Sequence, residues 1–138
     1  MQYDLDRFLL AQDGVYDGAL EELRLGRKTG HWIWFVFPQI AGLGHSAMSH
    51  TYAIISLDEA RAYLAHPVLG ARLRECARVV LATKGRTAEE IFGPTDAMKL
   101  RSCMTLFQRA AADDQVFAQV LDRFYGGVAD EATDARLS

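Results

Sequence analysis

The stretch His31-Trp32-Ile33-Trp34-Phe35-Val36-Phe37-Pro38-Gln39 decides how this chain packs, because it carries both tryptophans and two of the seven phenylalanines. Each such ring buries roughly 150–250 Å² of surface. Apolar and polar residues do not alternate here, so the pattern predicts a short buried helix or an irregular segment rather than a half-exposed strand. Polar ends and a following glycine pair are features that a core does not need. We therefore interpret the stretch as part core and part pocket wall.

Composition bounds the class of protein. A chain of 138 residues fits one domain. Its net charge of -3 provides no global basic field, so we do not expect nucleic acid as a partner. The longest apolar run, Trp32 to Phe37, is far shorter than the roughly 20 residues of a bilayer span. The N-terminus lacks the pattern of a signal peptide, so we expect no membrane partner.

The two cysteines, Cys76 and Cys103, are isolated from each other and from any clustered histidines. They therefore lack the Cys-x-x-Cys spacing of a metal site, and we predict neither a metal nor a cofactor. Buried free thiols are the expected state of both. This usage is typical of a reducing compartment, and we predict a cytoplasmic location.

Helical periodicity and capping signals dominate the rest of the chain. Two helices are predicted before the aromatic stretch, at about 4–12 and 15–25. Ser56-Leu57-Asp58-Glu59 and Thr87-Ala88-Glu89-Glu90 are capping boxes. Further helices are predicted at about 56–65, 67–84, 87–92, 95–111 and 113–125, and 41–49 is predicted to be a loop. The expected fold is all-α, a compact single-domain multihelical array of about seven helices, with one helical domain over 1–127 and a loosely held polar C-terminal tail over 128–138.

Lys99 is the first candidate for chemistry. At about 100° per residue it lies with Asp96 on one shoulder of the apolar stripe of its helix, where a polar side chain can enter a pocket. Lysine is scarce, with three against twelve arginines. A lysine in such a place can supply a point charge or an amine. The alternative is an ordinary surface ion pair between Asp96 and Lys99.

Several longer motifs are similar to those of a known family. They are Gly26-Arg27-Lys28, His31-Trp32-x-Trp34-Phe35-x-Phe37-Pro38-Gln39, Gly42-Leu43-Gly44, Glu59-Ala60-Arg61-Ala62-Tyr63-Leu64-x-His66-Pro67-Val68-Leu69-Gly70, Glu90-Ile91-Phe92-Gly93 and Asp96-x-x-Lys99-Leu100-x-Ser102-x-Met104-Thr105-Leu106-Phe107. Over nearly the whole chain they resemble the bacterial domain-of-unknown-function 1810 family. The resemblance implies a single, mostly helical domain without an established biochemical role. Some members carry the label "calpastatin", which does not suit a chain with apolar stripes sufficient for a packed core.

A second, fainter resemblance is to the small α-helical NADAR fold, which acts on ADP-ribose conjugates. Glu59-Ala60-Arg61 and the two-helix unit from Asp96 to Phe124 look like parts of it. This resemblance implies Lys99 as the candidate for Schiff-base chemistry on the ribose.

These observations lead to a first hypothesis, a pocket for a nucleotide or another ADP-ribose-type small molecule. A tryptophan would stack the base while Lys99 and Arg27 meet negative charge. The enzymatic form is a hydrolase that cleaves an N-glycosidic or ADP-ribosyl bond, with His31 or Asp96 as general base. The residues assigned to this pocket are Lys99, His31 and Asp96 as catalytic candidates and Trp32, Trp34, Gln39, Arg27 and Ser102 as ligand-binding candidates.

The second hypothesis is a non-catalytic protein-interaction module that docks a partner on the aromatic patch 31–39. An open apolar face of several hundred Å² would support it. The sequence leaves open whether the chain is an enzyme, and it does not indicate an oligomeric state.

Overall fold

Ten α-helices follow one another in the computed structural model, which describes residues 3–137. They are α1 Asp6–Gln12, α2 Tyr16–Arg24, α3 Ile33–Val36, α4 Ala47–Thr51, α5 Leu57–Ala65, α6 Leu69–Ala82, α7 Ala88–Phe92, α8 Pro94–Ala110, α9 Val116–Tyr125 and α10 Glu131–Leu137. Within the described residues the only β-type pairing is one isolated parallel bridge, between Ile40 and Ile54. The prediction of an all-α single domain is confirmed.

The predicted number of about seven helices is wrong, because three short helices lie outside the seven expected ones. α3 is a single turn inside the aromatic stretch. α4 lies in the expected loop, where the side chain of Ser46 accepts a hydrogen bond from the backbone N–H of Ser49 at its N-terminus. α10 lies in the expected tail. None of the three carries the repeated apolar stripe from which longer helices are predicted.

α8 is the central helix of the fold. It packs against α5, α7, α9, α10 and α3. Of the predicted inner stripe, Ala97, Leu100, Met104 and Phe107 are in the core. Its last predicted member, Ala111, is half-buried and follows the end of the helix. Because α8 contacts both α3 and α10, the helix brings the aromatic stretch and the C-terminal residues to the same region of the molecule.

The C-terminal residues are attached to α8, so the expectation of a loosely held tail is wrong for 128–137. The backbone N–H of Asp130 donates to the hydroxyl of Thr105 on α8, at 2.9 Å. Thr133 is completely buried. Farther along, Arg109 on α8 pairs with Asp134, with 2.9 Å from Nε to Oδ1. The segment is polar, and it is attached by these hydrogen bonds together with Leu137, which packs against the core.

None of the helices in residues 3–137 combines the length and the hydropathy that crossing a bilayer requires.

Candidate functional site

A cavity of about 280 Å³ lies where the aromatic stretch, α8 and the C-terminal segment meet. Most of its wall is apolar, with a few polar groups. One side comes from Trp34 and the loop that follows the aromatic stretch, a second from the first half of α8 and a third from the start of the C-terminal segment. The lining residues are Trp34, Gln39, Ile40, Gly42, Leu43, Gly44, Ser49, Tyr52, Ala53, Thr95, Met98, Lys99, Ser102, Asp130 and Ala132.

Lys99 and Trp34 form a contact between α8 and the aromatic stretch, the two parts of the chain to which the predicted pocket was assigned. The Lys99 Nζ lies 4.5 Å from the centroid of the Trp34 ring, a cation–π distance. The same ammonium donates to Asp96 Oδ1 at 3.1 Å. Lys99 therefore lines the cavity. It also forms the ion pair with Asp96 that was considered as the alternative to a position in a pocket.

Asp96 also pairs with Lys28, with 2.6 Å between Lys28 Nζ and Asp96 Oδ2. Only 5% of the Lys28 side chain is exposed, and its ammonium lies 5.0 Å from the centroid of the Trp32 ring. Burial raises the pKa of Asp96, but the hydrogen bonds and charges of the two lysines outweigh burial and lower that pKa below its ordinary value. A carboxylate held in this way is a weak proton acceptor.

Glu22 holds the chain at the entrance to the aromatic stretch. Its Oε1 accepts from the backbone N–H groups of Thr29, at 2.6 Å, and Gly30, at 2.8 Å, and from Trp32 Nε1 at 3.1 Å. Burial raises the pKa of Glu22. These hydrogen bonds lower it by more, so the pKa lies below its ordinary value. Trp32 is 2% exposed and belongs to the core, so its indole is a structural anchor and does not line the cavity.

The structure brings four of the eight predicted site residues to the cavity wall: Trp34, Gln39, Lys99 and Ser102. Asp96 is joined to them through Lys99. The remaining three do not line the cavity. Trp32 is in the core, and His31 and Arg27 are exposed. The base role predicted for His31 and the charge role predicted for Arg27 thus have no geometric support at this cavity.

Asp130 is a cavity residue that the sequence reasoning missed. Its Oδ2 accepts from Ser102 Oγ at 3.0 Å and, within its own segment, from Thr133 N at 3.1 Å and Thr133 Oγ1 at 2.5 Å. An acidic residue whose side chain accepts from the backbone three residues later is the ordinary signature of a helix start. Asp130-Glu131-Ala132-Thr133 carries that signal, which could have placed a helix in the expected tail.

The cysteines take no part in the cavity. Both are free and buried, as predicted. Burial raises the pKa of the Cys76 thiol to about 12 and that of the Cys103 thiol well above its usual value, which suppresses the nucleophilic thiolate form. Among the described residues, no group of three or more His, Cys, Asp or Glu side chains is arranged to hold a metal ion.

The aromatic patch does not form an open face. Trp32, Phe35 and Phe37 are all buried in the core, and Trp34 is half-buried on the cavity wall. The interaction-module hypothesis requires this patch to be accessible to a partner. The structure therefore removes the surface on which that hypothesis was based.

Comparison with known proteins identifies relatives without an assigned activity. The profile of the family described as "Protein of unknown function (DUF1810)" matches residues 2–137. The crystal structure of the conserved hypothetical protein Rv1873 from Mycobacterium tuberculosis is similar to this chain at 54% identity, with a TM-score of 0.97 over 98% of this chain and 96% of that one. A search of curated proteins gives no match. The comparisons do not show the NADAR resemblance.

Proposed function

Because this chain belongs to the DUF1810 family of proteins of unknown function, which supplies no activity to transfer, we propose its function from the cavity: it binds a nucleoside or mononucleotide. The observation that carries the proposal is the ammonium of Lys99 placed over the Trp34 indole on the wall of a largely apolar cavity. Apolar walls with a few placed polar groups are the usual composition of small-molecule sites.

The chemistry of the wall favours a ligand with a flat ring and one anionic group. Ile40, Leu43 and Tyr52 present apolar or aromatic surface to the cavity, next to the Trp34 indole. A nucleobase can stack on such surface, since every base has a π-face. Lys99 supplies a point charge to which a phosphate can bind.

The size and charge of the cavity limit the ligand to one nucleotide unit. Its volume of about 280 Å³ is near the lower end of the roughly 300–1,000 Å³ typical of ligand pockets. Among the described residues that line it, Lys99 is the one Lys or Arg, and a single cation does not balance two phosphates. If the ligand is an ADP-ribose-type compound, the cavity accommodates one half of it, a nucleoside with one phosphate.

Hydrolysis of an N-glycosidic or ADP-ribosyl bond is the enzymatic form of this proposal and has weaker support than binding. It requires a general base on the cavity wall, and neither of the two bases predicted from the sequence is available for that role. Asp96 uses both carboxylate oxygens in ion pairs, and His31 does not line the cavity. A lysine forms a Schiff base through its uncharged amine. Lys99 is engaged as a donor in an ion pair with Asp96, which does not favour that form.

Calorimetric titration with AMP, adenosine, ADP-ribose and NAD tests the proposal. We expect AMP to bind and Lys99→Met to weaken that binding about tenfold or more, equivalent to roughly 1.4 kcal/mol or more. Lys84→Met is the matched control, because Lys84 is exposed and outside the cavity. The proposal is wrong if neither AMP nor adenosine binds, or if both lysine variants bind AMP like the unchanged chain.

A further inference from the structure

One oxygen of the Asp130 carboxylate is saturated and the other is free for a ligand. Oδ2 accepts three hydrogen bonds, from Ser102 and from the backbone and hydroxyl of Thr133. For Oδ1, the described residues provide no hydrogen-bond donor and no ion-pair partner. Because the backbone N–H of Asp130 is itself bound to Thr105, the carboxylate is fixed in place at the cavity wall.

From this arrangement, and resting on the proposed function, we infer that Asp130 is the residue that selects ribose: its free oxygen accepts hydrogen bonds from the vicinal 2′- and 3′-hydroxyls of the bound nucleotide. An ionised carboxylate only accepts hydrogen bonds. A ligand that fills the cavity must therefore bring donors to this point, and a pair of adjacent hydroxyls supplies two.

Ser102 adds a second hydrogen-bond acceptor to this wall, so it also favours a ligand with donors. Its single hydroxyl hydrogen has two acceptors within reach, Met98 O at 3.1 Å and Asp130 Oδ2 at 3.0 Å. The hydrogen is thus engaged inside the protein, and Ser102 Oγ offers lone pairs to the cavity that it also lines. The wall formed by Ser102 and Asp130 consists of acceptors, to which hydroxyl donors are complementary.

Lys99 argues against a cationic ligand at this point. Residues 99 and 102 lie three apart on α8 and are neighbours on the helix surface, so an ammonium brought to Asp130 would enter the field of the Lys99 ammonium. Neutral hydroxyls make charge-assisted hydrogen bonds to the carboxylate without that repulsion. Acidic residues recognise ribose hydroxyls in this way in dinucleotide-binding folds.

The test is calorimetric titration of the full chain with AMP, 2′-deoxy-AMP and 2′,3′-dideoxy-AMP. Each hydroxyl removed is expected to weaken binding about tenfold, as for the loss of a hydrogen bond to a charged group. In Asp130→Asn, the preference for AMP over the dideoxy compound should fall close to one. Asp134→Asn is the control, because Asp134 lies in the helix that follows Asp130 but pairs with Arg109, and it should leave the preference unchanged.

The outcomes separate this inference from the function on which it rests. Equal affinity of the unchanged chain for AMP and its dideoxy analogue overturns the role of Asp130 and leaves the proposed function standing, and this measurement requires no variant to fold. A ribose preference that persists in Asp130→Asn also overturns the role of Asp130. Failure of AMP and adenosine to bind at all overturns both.

Discussion

Asp96, on α8, forms an ion pair with Lys28 and so links the N-terminal part of the chain to α8. Its two oxygens pair with two different lysines, Lys28 before the aromatic stretch and Lys99 on its own helix. Each ammonium also lies against a tryptophan, Lys28 against Trp32 and Lys99 against Trp34. One acidic side chain therefore pairs with the two cations that lie against the two indoles. The Lys28 ammonium is nearly enclosed, so its charge depends on Asp96 for compensation.

Asp96→Asn should reveal this dependence through pH. Because the folded chain holds the pKa of Asp96 below its ordinary value of 3.8, the unfolded chain binds more protons near that pH. The contribution of Asp96 to stability is thus present above about pH 4 and is lost as pH falls through its folded pKa. At pH 7 we expect the variant to be less stable, by on the order of 3 kcal/mol, because it leaves Lys28 buried without an anion.

Urea denaturation from about pH 6 down to about pH 2 measures the effect through the standard linear extrapolation. The difference in the free energy of unfolding between the unchanged chain and Asp96→Asn should narrow as the solution is acidified. Asp13→Asn, at an exposed position, should give a curve close to that of the unchanged chain. A difference for Asp96→Asn that stays constant over this range would contradict the assigned ion pairs.

Glu22→Gln is a second prediction about a single carboxylate. Glu22 Oε1 accepts from two backbone N–H groups and the Trp32 indole, and hydrogen bonds to a charged acceptor are stronger than those to a neutral amide. We expect the substitution to lower the free energy of unfolding by about 1–3 kcal/mol. The neighbouring Glu21 is exposed and makes a loose pair with Arg24, at 3.8 Å. Glu21→Gln should change stability by less than about 0.5 kcal/mol, and equal losses in the two variants would refute the role of Glu22.

At the scale of helices, two glycines inside helices have opposite roles. A Cβ added at Gly70, in α6, would come within 2.1 Å of the carbonyl oxygen of Leu64 in α5, which is backbone and cannot move aside. A Cβ added at Gly18, in α2, meets nothing within 4 Å. Gly70 therefore permits the close approach of α5 and α6, whereas Gly18 only adds conformational entropy to the unfolded chain.

Gly70→Ala and Gly18→Ala should thus change stability with opposite signs. We expect Gly70→Ala to destabilise the fold by about 3 kcal/mol, the upper range for overpacking. Gly18→Ala should stabilise it by about 0.5–1 kcal/mol, the helical preference of alanine over glycine. Chemical denaturation measures both. A Gly70→Ala variant as stable as the unchanged chain would show that α5 and α6 are not packed as described, and destabilisation by Gly18→Ala would contradict the open surroundings of Gly18.

Helices with a repeated apolar stripe could be predicted from the sequence, and those without one could not. The stripe of α8 and the Thr87 capping box, in which Glu90 reaches back to the Thr87 N–H, are as predicted. The Ser56 box is only half formed, because Glu59 turns to the N–H of Ile55 and to Arg7 instead. Arg7 is distant from Glu59 in the sequence, so the local pattern does not predict this ion pair.

The candidate site was predictable where one helix determines the geometry. Lys99 and Ser102 lie three apart on α8, and both reach the cavity. The two tryptophans were taken together, yet Trp32 precedes α3 and its indole is held in the core by Glu22, so only Trp34 lines the cavity. Lys28 and Asp130 join the site through contacts across the fold, which spacing along the chain does not encode.

At the scale of the whole molecule, the C-terminal segment forms one wall of the cavity and connects distant parts of the chain. Asp130 bonds to Ser102 and Thr105 of α8 and accepts hydrogen bonds from Thr133. Arg136 Nη2 donates to the carbonyl of Gly42 at 3.1 Å. The loop at Gly42 and the helix α8 are thereby held by the same short helix. The cavity depends on this segment although few apolar side chains attach it.

Deleting residues 131–138 should therefore loosen two remote regions and leave a third unchanged. Without Thr133 and Arg136, we expect amide hydrogen exchange to become several-fold faster in the loop 39–44 and near residues 101–105 of α8, while α6 exchanges as before. The free energy of unfolding should fall by about 1–3 kcal/mol, because the Asp130 carboxylate loses both Thr133 donors and the Gly42 carbonyl loses Arg136. Arg136→Ala is the partial control and should accelerate exchange in the loop alone. Mass-spectrometric exchange that is unchanged in both regions after the deletion would show that α10 does not stabilise the loop 39–44 and α8.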